Sequence, residues 1–301
     1  MILSMTHVVK QWIARALALC VVGPICAMLA SRVLAPDGSH NTTFLTGHAG
    51  GVLNLVLVLV VGLGSGIAVG RLVDRREGFL HIAFVFGWVA WTIGRMGEVF
   101  RIAPESGTLI GLSIESLIIG AALIVALVLM TNPSKGVVHG HSDDVSRFDL
   151  GYLKESLAST SGLISMVAAL IAGLVIAMLF GQTDLPGQSV GVGFGAGVAG
   201  GLAGALAWGS ASKSDHKQAA PTPFGPLMIG VMLCGVVAPI IGFFAPGTSE
   251  LSGLVVQGDL PGYLIVSPIA WSMGALLGVP MGHSWVEHSV QQASGAQGAK
   301  A

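Results

Sequence analysis

Charge is scarce in this 301-residue sequence, where 10% of residues are Asp, Glu, Lys or Arg. An ordinary soluble domain carries roughly a quarter. So few charges exclude a water-facing surface over most of the chain. Cysteine is nearly as scarce, and Cys20, Cys26 and Cys234 all fall in apolar runs. That placement excludes a disulfide framework or a zinc spacing and reads as buried, inert thiols. There is no phosphate loop and no basic patch, so nucleic acids and nucleotides are not expected partners. "GAGVAG" from Gly195 spells a dinucleotide fingerprint, but no strand precedes it. No nucleophile, acid and base converge at one depth, so no catalytic residue, metal ligand or cofactor is assigned.

What remains is oil. The sequence is 53% hydrophobic, and about 20 apolar residues suffice to cross ~30 Å of hydrocarbon. Eight such runs are present: Trp12 to Leu34, Gly47 to Gly70, Phe79 to Phe100, Thr108 to Met130, Ser159 to Gly181, Ser189 to Trp208, Phe224 to Ala245 and Pro261 to Met281. With eight crossings, Lys10, Arg15, Arg71, Arg75, Arg76, Lys135, Arg147, Lys154, Lys213, Lys217 and Lys300 fall on one side, and only Arg32, Arg95 and Arg101 on the other. The positive-inside rule then puts both termini in the cytoplasm and the chain in the plasma (inner) membrane.

The runs repeat. Between Ala18 and Gly51, 12 of 34 positions are identical to the residue 150 further on, among them Gly23/Gly173, Met28/Met178, Pro36/Pro186 and Gly47/Gly197. "GWVAWTIG" from Gly87 then pairs with "GVVAPIIG" from Gly235, and Ser113, Gly120 and Leu123 pair with Ser267, Gly274 and Leu277. The order is collinear. The expected fold is therefore an all-α polytopic bundle of eight spans, written as two tandem four-helix repeats in parallel orientation. The first repeat covers residues 1–135 and the second 159–283. A cytoplasmic linker, 136–158, carries Val145, Phe148, Tyr152, Leu153 and Leu157 on one face of an amphipathic helix, and a tail follows at 284–301. "ILSMTHVVKQW" at the start reads as a second surface helix.

Few polar groups interrupt the spans. Arg95 and Glu98 lie near the outer end of the third span and Glu115 near that of the fourth, roughly 10 to 12 Å deep at 1.5 Å per residue. Only "IAPESG" separates these helices, so Arg95 is expected to pair with Glu115, with Glu98 one turn away. His81 projects from nearly the same face as Arg95, near the inner end. In the sixth span, Gly193, Gly197 and Gly201, with Gly200 and Gly204, have the spacing of close helix packing. His139, His141, Asp143 and Asp144 in the linker form a generic metal-capable set, and "HSWVEH" from His283 lacks protease spacing, with Trp285 as an interfacial anchor.

Two functions fit. One is a transporter or channel-like permease for an ion or small solute, using Arg95, Glu98, Glu115 and His81. The other is a non-catalytic scaffold or subunit of a membrane complex, whose partners are the bilayer and a second copy or another membrane protein. A polar cavity between the repeats, reaching Arg95 or Glu115, separates them.

Overall fold

The computed structural model describes residues 2–34, 43–46, 50–130, 150–183, 185–214 and 224–298. The fold is 88% helix, with no strand among the described residues. A chain in lipid must satisfy its backbone internally, and the helix does so within one segment. The helices are α1 (Ile2–Leu17), α2 (Gly23–Ala30), α3 (Gly50–Leu72), α4 (Arg75–Thr92), α5 (Met96–Ile102), α6 (Ser106–Met130), α7 (Leu150–Ala158), α8 (Thr160–Phe180), α9 (Pro186–Ser214), α10 (Phe224–Gly242), α11 (Thr248–Gln257), α12 (Gly262–Ile265) and α13 (Pro268–Gly298).

Six helices are long and apolar enough to cross a membrane: His7–Ala30, Gly50–Leu72, Ser106–Met130, Thr160–Phe180, Gly187–Ala211 and Phe224–Ala245. α4 and α5 make a seventh if they are taken together, across a 45° bend. The protein is therefore a multi-pass membrane protein. The departures from eight uniform spans have local causes. α1 begins at Ile2 and runs into the first span, so the opening residues are not a separate surface helix. Pro24 has no N–H to donate, and a π-turn at Ala18–Val22 precedes it, with the Gly23 N–H bonded to Ala18 O. The third span breaks at Ile93 to Arg95, where Gly94 favours helix poorly. Ala245, before Pro246, is extended at φ −150° and ψ 106°, which separates α10 from α11. α13 starts at Pro268 rather than Pro261, because Val266 is extended and the residue before a proline resists helix.

α13 is less apolar than its neighbours because it hardly meets lipid. From Leu264 to Leu276 every residue is buried, and α13 packs against α4, α6, α9 and α10. Its approach to α9 is backbone on backbone. A Cβ on Gly193 would lie 2.6 Å from Ala270 O, and one on Gly197 would collide with Gly274 O. Gly201 faces Val279 in the same way, while Gly200 and Gly204 turn to α8 and α10, meeting Ala169, Val231, Ser165 and Leu227.

One end of the bundle gathers the end of α1, the end of α3, the start of α4, the end of α6, α7 and the start of α10, as the contacts Arg15–Glu77, Arg71–Leu129, Arg75–Met130 and Leu153–Gly225 require. His283, midway along α13, stacks on Phe224 there, with ring centroids 4.5 Å apart. At the far end, α5, the start of α6, α11 and α12 enclose a separate apolar cluster built on Met96, Phe100, Leu109, Leu251 and Leu264. Cys26 and Cys234 are buried as expected, whereas Cys20 is exposed on the bundle's outside.

Candidate functional site

Glu115 is the most enclosed ionisable group of the described chain, with no exposed surface. Its neighbour is not Arg95. The turn Thr43–Thr46, in the connection between α2 and α3, dips against α6 with Thr43 and Phe44 fully buried. The Leu45 N–H donates to Glu115 Oε2 at 2.9 Å, and the Thr43 and Thr46 hydroxyls lie 2.5 Å apart beside it. Glu115 Oε1 has no hydrogen-bond partner. Irregular backbone inside a membrane bundle needs an acceptor for its N–H groups, and Glu115 supplies one.

The expected Arg95–Glu115 pair does not form. Arg95 is exposed and caps the N-terminus of α5 at φ −88° and ψ 72°, after the break that turns α5 away. Glu98 pairs instead with Arg101 on the same helix, at 2.6 Å. His81 is 2% exposed and sits at the opposite end of the bundle. Its Nδ1 lies 3.2 Å from Ala14 O and its Nε2 3.0 Å from the Ser65 hydroxyl. A carbonyl only accepts, so Nδ1 carries the proton, and the ring ties α4 to both α1 and α3. The four residues expected at one pathway thus occupy three separate places.

Beside His81 lies a pair that sequence spacing did not suggest. Arg15 and Glu77 are bound by two hydrogen bonds, Nε to Oε2 at 2.9 Å and Nη2 to Oε1 at 2.6 Å, with the guanidinium 5.4 Å from the Trp12 ring centroid. Glu77 is 2% exposed. Charge assigns Arg15 to this end, together with Arg75 and Arg76, which immediately precede Glu77 in sequence. Midway along α13, His283 is buried with Nδ1 3.6 Å from Glu287 Oε2, and Trp285 is exposed.

Between the two halves the polar contacts are hydroxyl to carbonyl. Pro239, inside α10, cannot donate to Gly235 O one turn back, and the Ser116 hydroxyl takes that acceptor at 2.8 Å. Ser113 donates to Val236 O at 3.0 Å. A proline-freed carbonyl, which could line a cavity, is here consumed by packing. The two best-formed cavities hold about 10 and about 20 Å³, space for about one water each. Both are lined mainly by apolar side chains, and neither is lined by Arg95 or Glu115.

Among the described residues no three His, Cys, Asp or Glu side chains are grouped to hold a metal ion. His139, His141, Asp143 and Asp144 lie outside the described residues. Comparison with protein-family models, with curated proteins and with solved structures finds no match.

Proposed function

We propose that this chain is a non-catalytic scaffold or subunit of a membrane complex, made of two tandem four-helix units in the same orientation. The observation that carries the reading is the closed interior. Ser116 donates to Gly235 O and Glu115 Oε2 accepts from the Leu45 N–H, leaving Oε1 without a partner, and the two recesses of about 10 and about 20 Å³ are mainly apolar and do not reach Glu115. A permease needs a polar route that can be hydrated, and buried charges kept for transport face such a route.

The contacts support the duplication. Within the first unit α2 packs on α3 and α4, and α3 on α6; within the second, α8 packs on α9 and α10, and α9 on α13. Across the interface α6 lies on α10 and α13 on α4, the exchange a pseudo-twofold axis along the membrane normal would produce. Residues 1–135 and 159–283 form the units, 136–158 the linker and 284–301 the tail. Both termini face the cytoplasm of a plasma (inner) membrane, and the functional partner is a second copy or another membrane protein.

One observation favours the permease. The third helix of each unit is broken, at Ile93 to Arg95 and at Phe243–Gly247, and the short helices that follow, α5 and α11, pack together. Ion and proton flux in proteoliposomes separates the two functions. The scaffold reading expects rates equal to protein-free vesicles; flux above that level, lost in Glu115→Gln, overturns it.

A further inference from the structure

An apolar crevice opens between α6, α7 and α10 at the end of the bundle that holds Arg15 and His283. Ile124, Leu127 and Val128 form one wall, Met228, Ile229 and Met232 the other, and Leu153 of α7 closes the top against Gly225. Met228, Met232 and Leu127 are buried in its floor, while Ile124, Val128, Ile229 and Leu153 are half-exposed along its rim, so it opens outward. It holds about 20 Å³ with almost wholly apolar walls. The α6 wall spans roughly 3 to 9 Å inward from the end of that helix at 1.5 Å per residue, the level where acyl chains meet headgroups. An apolar recess left empty forfeits dispersion contacts on its open side.

Basic residues lie beside one end of the crevice. Lys154 follows Leu153 on α7 and is exposed. Arg71 Nη2 and Arg75 Nε donate to Leu129 O and Met130 O at 3.0 and 3.1 Å, which holds both guanidinium groups on the last turn of α6, just beyond Val128. Arg76 adds a fourth exposed cation. Asp74 and Glu155 share this end, so the positive charges outnumber the exposed carboxylates, while Glu77 is committed to Arg15.

We infer that this crevice is a binding site for one anionic phospholipid, an acyl chain lying across its half-exposed rim at Ile124, Val128 and Ile229 and the phosphate held by Lys154 and Arg71. The inference requires only that the bundle sits in a bilayer, whichever function it performs there. Each basic group near a membrane surface attracts an anionic lipid by about fivefold, so two give a preference of at least about tenfold.

Native mass spectrometry of the full chain, released from micelles containing dioleoyl phosphatidylglycerol or dioleoyl phosphatidylcholine, reads that preference directly. The wild type should retain one phosphatidylglycerol at least about tenfold better than phosphatidylcholine. Lys154→Gln with Arg71→Gln should bring the two lipids to within about twofold without altering thermal unfolding, and Met232→Trp should fill the crevice and release the lipid. Equal retention of the two lipids by the wild type overturns the site, as does a double variant that keeps its preference. Retention of neither lipid also overturns it.

Discussion

The two halves of this bundle hold their helices together by different means. The first adds polar pins to a glycine contact, Gly78 of α4 on Gly66 and Gly70 of α3: Arg15 on Glu77 joins α1 to α4, His81 joins α4 to α1 and α3, and Glu115 holds the turn at Thr43–Thr46. The second uses bare backbone, with Gly193, Gly197 and Gly201 of α9 lying directly on Ala270, Gly274 and Val279 of α13. Lipid offers no hydrophobic drive between helices, so association rests on close packing or on polar contacts whose alternative is an unmet donor or acceptor. Glycine contact is uniform along a helix and tolerates no added atom. A pin acts at one point, and its loss leaves the rest of the interface in place.

That contrast can be broken most severely at Gly197. Gly197→Leu should destabilise the bundle by at least about 3 kcal/mol, since backbone rather than a movable side chain faces the new atoms. Gly64, with nothing within 4 Å of its Cβ direction, should accept Leu within about 0.5 kcal/mol. Thermal unfolding in mixed micelles measures both, and equal losses would remove the distinction. In the first unit, Glu115→Leu strands the Leu45 N–H and should cost about 1 to 3 kcal/mol. Glu115→Gln keeps an acceptor oxygen and should cost clearly less. Were Gln as damaging as Leu, the carboxylate would be serving something other than the turn.

Smaller effects sharpen the picture. Glu77→Gln should cost about 1 to 2 kcal/mol, a buried-pair loss reduced by solvent at the partly exposed Arg15. Adding Arg15→Gln should recover part of it, and a strictly additive double variant would show that the pair contributes no coupling. Ser116→Ala should cost about 1 kcal/mol by leaving Gly235 O unmet. In a Pro239→Ala background the restored backbone N–H should meet that carbonyl, so the Ser116→Ala penalty should shrink; an unchanged penalty would show that Pro239 is not what orphans the acceptor.

Much of the fold was legible because lipid imposes one rule on every spanning segment. Apolar length located six helices and charge sorted their ends, and the Gly193 and Gly200 series pointed to two close-packed faces. Three features were not. The start of α13 at Pro268 rather than Pro261 depends on the extended Val266 that ends α12, which the apolar run Pro261 to Met281 conceals. Arg95 and Glu115 matched in depth, but depth leaves rotation about the helix axis open, and the break at Gly94 turned α5 aside. Arg15 and Glu77 are 62 residues apart with no short connection to link them, so sharing one end of the bundle was the sequence's only hint of their contact. That the Ser116 hydroxyl absorbs the carbonyl freed by Pro239 depends on a neighbouring helix, which the sequence of α10 does not show.

α13, which packs against α4, α6, α9 and α10, comes after the helices it holds together. During synthesis those earlier helices must wait side by side around a vacant central lane, and α9 must keep its glycine face open until its counterpart is threaded in. The molecule therefore gains its axle only when every other strut is already in place, and membrane-inserted chains that have not yet received it should be the form most open to proteolysis and to mistaken pairing.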